Sequence, residues 1–377
     1  PPPPPPPPPR GKTRLNASDH IFRELRDLNF GRACDKLREK SIAIQQDYKQ
    51  IKGGRVEDQK VSDIKGFVKT VRDNMSGAGV DLHATIAKQL MDRTMKDYSF
   101  MRRLEMERAC VEGYGLDGVY AYVEAMIARK DPITATLRML ALASLCGGGV
   151  PRKTLESLKR DFLQAYGYEH LSTLGHMQTA GFLARKDQLV AAPASFMSAP
   201  APYEQTKCIN FAHVRRALRL VVDDLDDNRP TDIAYAYSHS GYAPLSVRLV
   251  QAALRGQWRS EEVAKALQGL PGPQVELTQT VDAKGMPVEG PPVDATPSAG
   301  GGGGGGGTSA ARRKPVLVFF LGGVTFAEIS TLRFIANTEE VNRDIIIAST
   351  KLITGSSLLQ TLVADPVRPS RANADQP

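Results

Sequence analysis

Six histidines, a run of aspartates and two glycine-rich turns are the places in this sequence where residue types alone suggest chemistry. His20, His83, His170, His176, His213 and His239 form no HExxH motif and no i, i+4 pair. One helix face therefore cannot bring two of these imidazoles to a metal. Asp223-Asp224-Leu225-Asp226-Asp227 has the composition of a cation loop but lacks alternating ligands and a closing glutamate, so it reads as a solvated helix end. Ser238-His239-Ser240-Gly241 is not a GxSxG nucleophile elbow. Gly322-Gly323 follows an apolar run and precedes a helix, a place where a phosphate could meet a helix N-terminus. The segment lacks both GxGxxG and GxxxxGK[ST], so it reads as tight helix–strand packing. The eight glycines Gly300 to Gly307 have no flanking strand and no Lys-Ser/Thr, so they are not a P-loop. No catalytic, cofactor-binding or metal site is expected. The chemistry that remains is contact chemistry. Lys159, Arg160, Tyr168 and Leu171 put charge, an aromatic ring and aliphatic bulk close together, the usual makeup of an interface hot spot.

Composition agrees with a binding protein. The formal charge of +8 favours an anionic partner, such as an acidic helix, a headgroup or nucleic acid. However, the 49 basic residues are interleaved with 41 acidic ones and read as solvated helix faces. No nucleic-acid partner is expected. Cys34, Cys110, Cys146 and Cys208 form no CxxC pair and fit reduced, mostly buried thiols. The longest strongly apolar run, Val316 to Leu321, is far short of a membrane span, so membrane association is expected only through partners. The chain opens on nine prolines with no initiator Met, which reads as a truncated or mispredicted product.

The elements that must carry any surface divide the chain. Residues 1–14 read as a polyproline tail and 366–377 as a disordered tail. Residues 15–227 read as helix after helix. Ile21, Leu25 and Leu28 share one face, and Ile64, Phe67, Val68 and Val71 follow helical spacing. Leu82, Ile86 and Leu90 repeat the stripe, as do Ile133, Leu137, Leu140 and Ser144, and then Leu155, Leu158 and Phe162. Polar residues 52–60, with Gly53, Gly54 and Arg55, read as the tip of a helical hairpin. Ala191 to Pro202 reads as an insertion loop.

From residue 228 the pattern changes. Pro244 opens a helix with Leu245, Leu249 and Val250 on its buried side, and Ser260 caps the next. Residues 271–314 read as a disordered Pro/Gly-rich insert. Val316 to Phe320 and Asp344 to Ser349 read as strands buried on both faces, bracketing a helix with a Thr325/Glu328 capping box, a Val324–Ile329 staple and Ile329, Leu332 and Ile335 buried. That is a βαβ unit with a parallel sheet. Two parallel strands cannot cover themselves, so 228–270 and 315–365 read as part of an α/β domain whose other strands lie outside this sequence. The fold class is α+β multidomain: a mostly helical domain, then the C-terminal half of a parallel-sheet domain.

Phe319-Phe320-Leu321-Gly322-Gly323-Val324-Thr325-Phe326-Ala327-Glu328-Ile329, then Leu332-Arg333-Phe334 and Ile347 to Ile353, resemble the end of Sec/Munc (SM) proteins, in their vacuolar-protein-sorting-33 branch. The blocks Tyr166 to Leu171, Pro230 to Tyr235, Ser240 to Arg248 and Leu270 to Pro273 agree. The polyproline start, the 191–202 loop and the glycine-rich insert depart from the pattern. The resemblance implies a three-domain arch, of which this chain holds the helical third domain and the returning half of the second. It implies a regulator of SNARE-driven membrane fusion in a HOPS or CORVET tethering complex, at late endosomes and the vacuole or lysosome, and not an enzyme. It places Lys159, Tyr168 and Leu171 on the face that docks vacuolar protein sorting-associated protein 16, and the hairpin tip against SNARE helices. Rival readings are an SM protein of a plasma-membrane or Golgi branch, and a nucleotide-binding α/β enzyme fragment.

Overall fold

A computed structural model of the chain describes residues 15–53, 77–186, 210–223, 225–226, 229–268, 270, 280–281, 287–288, 314–337 and 343–364. The polyproline start, the Ile64 to Val71 stripe, Gly54 and Arg55, the 191–202 loop, Cys208 and the polyglycine run lie outside the described residues.

Helices α1 (His20–Leu25), α2 (Phe30–Gly53) and α3 (Gly77–Lys96) make an N-terminal group. Its core is small: Ile21, Leu37 and Val80 are buried, with Leu25, Ile44 and Ala87 packed against them. Leu28 falls beyond the end of α1 and is exposed, so it does not extend the face that holds Ile21. Leu82 and Ile86 are half-buried and Leu90 is exposed. The Leu82–Ile86–Leu90 stripe has helical spacing, yet little packs against it, and Val80 and His83 are the residues of α3 that are buried.

The main core is built by α4 (Tyr98–Glu112), α5 (Leu116–Ala128), α6 (Ile133–Cys146), α7 (Arg152–Tyr166) and α8 (Leu171–Thr179). Helix α6 places Leu137, Leu140 and Ser144 in this core, and α7 places Leu155, Leu158 and Phe162 there. Ser144 is buried without penalty because its Oγ accepts a hydrogen bond from the Ala184 N–H at 3.0 Å. Cys110 is fully buried and burial pushes its thiol up to about 12; Cys34, Cys110 and Cys146 are all free.

Helix α9 (Phe211–Ala217) packs Val214 against α10 (Leu245–Leu254) and α11 (Glu261–Gln268), and not into the helical core. Val247, Gln251 and Ala252 are the buried residues of α10, while Leu245 and Leu249 are only partly buried. Ser260 caps α11 by accepting from the Val263 N–H. Thr280–Val281 (β1) and Pro287–Val288 (β2), within the segment read as disordered, pair as a short antiparallel ladder. Three of these four residues are β-branched, which favours extended pairing.

Strands β3 (Lys314–Phe320) and β4 (Arg343–Ser349) pair in parallel, with Val316 opposite Ile345 and Val318 opposite Ile347. Helix α12 (Phe326–Asn337) crosses between them and buries Leu332 and Ile335 with Ile233, Ala234 and Val247. The expected capping box is present: Glu328 Oε2 accepts from the Thr325 N–H at 2.8 Å, and Thr325 Oγ1 accepts from the Glu328 N–H. The strands are not buried on both faces. Val318, Phe320, Ile345 and Ile347 face the core, whereas Leu317, Phe319 and Ile346 are 63, 59 and 54% exposed. Side chains alternate along a strand, and among the described residues only one face has a helix over it. The last helix, α13 (Gly355–Gln360), leaves the sheet and inserts Leu359 into the main helical core, with Leu362 and Val363 beside it.

Candidate functional site

Helix α7 ends at Gly167, whose φ of +114° is one an L side chain rarely adopts. The chain then makes a single 3-10 turn, Tyr168–His170, before α8 begins at Leu171. That turn is pinned from beneath. Phe162 packs on Tyr166 at 4.7 Å and edge-on to His170 at 6.3 Å between ring centroids. The Tyr166 hydroxyl donates to the Asp131 carbonyl at 2.6 Å. Thr173 Oγ1 accepts from the Ala364 N–H at 2.9 Å, and His176 Nδ1 lies 3.1 Å from the Leu362 carbonyl. The buried face of α8 is Thr173, Leu174 and Met177, which leaves its first residue outward.

Tyr168 is 71% exposed and Leu171 is 63% exposed, side by side on this braced turn. Neither packs into the domain. Lys159 lies differently: its Nζ donates to Gln178 Oε1 at 2.9 Å, tying α7 to α8. Desolvation, and then the charge of Arg185, lower the Lys159 ammonium from its ordinary value. Arg160 is a more exposed cation on the same helix, with its Nε 3.5 Å from Asp161 Oδ1 and its Nη2 donating to Ser157 Oγ at 3.2 Å. A turn whose backbone is already fixed suits docking, because less backbone freedom is lost on binding.

At the other end of the helical region, Gly53 closes α2, and Gly54 and Arg55 are not described. A feature that the stripe reading passed over lies on α3 and α4. Ala84, Lys88, Met91, Met95 and Tyr98 recur at spacings of four and three and are all exposed, Tyr98 to 89%. Ala84, Lys88, Met91 and Met95 make an open stripe along α3 of the kind a second helix packs on, and Asp97 breaks the helical register before Tyr98. The stripe was legible as a 3.5-residue period, but apolar spacing alone does not separate a core face from an open one.

The Gly322-Gly323 turn is closed to a phosphate. The Glu328 carboxylate takes both the N–H and the hydroxyl of Thr325 at the start of α12, and Ser246 Oγ also donates to it. An anion arriving there would meet a carboxylate instead of free N–H groups. Gly323 serves packing: at φ +145°, a Cβ would come within 2.6 Å of Ile353 Cγ2. The 238–241 turn, with Arg108, Glu112 and Asp223, lines a cleft of about 330 Å³. Among the described residues no group of three His, Cys, Asp or Glu side chains could hold a metal, and no helix is long and apolar enough to cross a membrane.

An ion pair links two of the motif blocks, which also share the apolar packing of Ile233, Ala234, Ala243 and Val247. Asp232 caps the 3-10 helix Ile233–Tyr237 by accepting from the Ala234 N–H at 2.9 Å. The Arg248 guanidinium grips both oxygens of the same carboxylate, at 2.9 and 3.0 Å.

Comparison with known proteins agrees with this arrangement. The sequence profile of the Sec1 family matches residues 6–361. The chain is 39% identical over 352 residues to the vacuolar protein-sorting-associated protein 33 homolog of Arabidopsis thaliana, covering 93% of this chain and 52% of that protein. It is 35% identical over 360 residues to vacuolar protein sorting-associated protein 33A of Rattus norvegicus, covering 94% of this chain and 52% of that protein. The chain thus spans about half the length of the curated relatives it matches. Among solved structures, the Unc18–syntaxin 1 complex from Monosiga brevicollis is similar with a TM-score of 0.52 at 13% identity, covering 93% of this chain and 51% of that one. A profile match over nearly all of its residues, with relatives at this identity, means that the chain belongs to the Sec1 family.

Proposed function

We propose that this chain acts as part of an SM-type regulator of SNARE-mediated membrane fusion, working in a HOPS- or CORVET-type tethering complex. Its place is peripheral to the late endosome and the vacuole or lysosome, held there by partners. It is a binding protein and makes or breaks no bond. The observation that carries this reading is the exposed pair Tyr168 and Leu171 on a turn braced from below. We assign that pair, together with Lys159, to docking vacuolar protein sorting-associated protein 16. The hairpin end at Gly53, Gly54 and Arg55, with the open stripe through Met91 and Met95, is the surface we assign to SNARE helices. Helix-in-groove recognition buries an apolar stripe and sets register with polar contacts. Holding such helices in register offsets the ordering cost of a disordered partner. The names of the relatives, which are vacuolar sorting proteins, and the syntaxin-bound neighbour support the reading.

The test is calorimetric binding of a helical fragment of vacuolar protein sorting-associated protein 16 to the full chain and to Tyr168→Asp. Loss of a hot-spot tyrosine costs about 2 kcal/mol, or roughly 30-fold in affinity. Because Tyr168 is exposed, thermal melting should stay where it is. Equal binding by both proteins would remove Tyr168 from the site.

A further inference from the structure

The N-terminal helical group is thinly attached. In α2 only Leu37 is buried among the described side chains, and in α3 nothing from Ala84 to Lys96 is buried. Its small core of Ile21, Leu37 and Val80 is separate from the main helical core and from the α/β core. Toward its C-terminal side the group joins the rest of the molecule at Asp97, a non-helical residue that breaks α3 from α4 and caps the latter. Such a unit belongs to the low-stability end of a structure.

What holds its other end is a polar knot on a single residue. Asp27 lies between α1 and α2, at the root of the hairpin arm. Its backbone carbonyl accepts from the Tyr235 hydroxyl and from Ser330 Oγ, each at 3.1 Å. Its carboxylate takes Arg333 Nη1 at 2.9 Å. Tyr235 and Ser330 are buried, 3.0 Å apart through their hydroxyl oxygens, and the Tyr235 ring packs on Phe334 at 5.0 Å. Three of the contributing side chains are on α12 or packed against it, so the knot fastens the root of the arm to the helix that crosses the parallel sheet.

We propose that this knot is a latch: it sets the angle of the hairpin arm on the α/β half, and its release lets the arm swing about Asp97. The 20 residues of α3 make a lever of about 30 Å, so a rotation of about 10° moves its far end by about 5 Å. That displacement equals roughly one helical turn at the Gly77 end of α3 and falls to about 1.6 Å at Met91 beside the pivot, so the swing repositions the far end of the arm and leaves the stripe nearly in place. The latch is polar and directional and not a broad apolar contact, which is what a reversible joint requires. Its bearing on partner binding rests on the reading of the arm as a helix-binding surface; the latch itself does not.

Two variants and a rescue test it on the full chain. Tyr235→Phe removes one hydroxyl and keeps the ring on Phe334; Arg333→Met removes the charge contact at a half-exposed position; Arg333→Lys restores the charge. Hydrogen exchange of the α1 and α2 amides should quicken about tenfold in the first two and return toward wild type in the third. Amides of α6 and α7 should be unchanged. Unchanged exchange in α1 and α2 in both removal variants overturns the latch. Equal acceleration throughout the molecule also overturns it, because the knot would then be ordinary stability. Helix binding by the same variants is read separately. Altered exchange with no helix binding even by the wild type would keep the latch and sink the reading of the arm as a partner surface.

Discussion

Replacing Arg248 with methionine tests whether the two motif blocks around residues 230–248 are joined by the ion pair or merely lie close. In the wild type the guanidinium makes two charge-assisted bonds to Asp232, one to Gln251 Oε1 at 2.8 Å and one to the Arg219 carbonyl at 3.1 Å. The side chains of Arg248 and Asp232 are 13% and 26% exposed, so water reaches only part of the pair. Methionine keeps much of the aliphatic stem and deletes the charge. Breaking a fully buried pair costs about 3–5 kcal/mol, chiefly by stranding the remaining charge, and an exposed pair about 0–1 kcal/mol. The burial seen here places Arg248→Met at about 2–3 kcal/mol. Asp232 keeps its bond from the Ala234 N–H, which limits the loss. Adding Asp232→Asn to Arg248→Met removes the stranded charge, so the double variant should be more stable than the sum of the two singles by about 1–2 kcal/mol. The single tryptophan, Trp258, packs on the neighbouring cluster of Val214, Ala252 and Val263, which α10 shares, and reports urea unfolding by fluorescence. A loss under about 0.5 kcal/mol with additive single effects would show that the pair behaves as a surface contact and that the blocks are held by apolar packing alone.

Other outcomes follow from the same geometry. Gly323→Ala places a methyl against Ile353 at a φ hostile to L residues, and should lower stability by about 2 kcal/mol in chemical denaturation; a neutral result would mean that the β3–α12 turn relaxes freely. Burial raises the Asp19 carboxyl, but hydrogen bonds from His83 and from the Phe22 and Ile21 N–H groups outweigh it and leave it below its ordinary 3.8. A lowered folded value means that its stabilisation is present above pH 3.8 and lost as pH falls through the lowered value. Exchange of the α1 amides should therefore rise relative to Asp19→Asn on acidification from about pH 5 to about pH 3, once the intrinsic pH dependence of exchange is divided out; parallel profiles would refute the assignment.

Helix existence was legible over the described residues because periodicity records which face a helix must bury. Leu137, Leu140 and Ser144, and Leu155, Leu158 and Phe162, lie where their spacing put them. The Thr325/Glu328 box and the parallel pairing of β3 with β4 were equally local. These features depend on residues within a turn or two of each other, or on a crossover too short to allow another topology. The same spacing misjudged Leu82–Ile86–Leu90, since it cannot report whether anything lies opposite. The side-by-side exposure of Tyr168 and Leu171, the inward turn of Lys159, the return of Leu359 to the helical core and the gathering of Tyr235, Ser330 and Arg333 on Asp27 were decided only by the tertiary structure. Each joins or separates residues by contacts that run across elements, up to 306 positions apart between Asp27 and Arg333, and no local pattern encodes such a pairing.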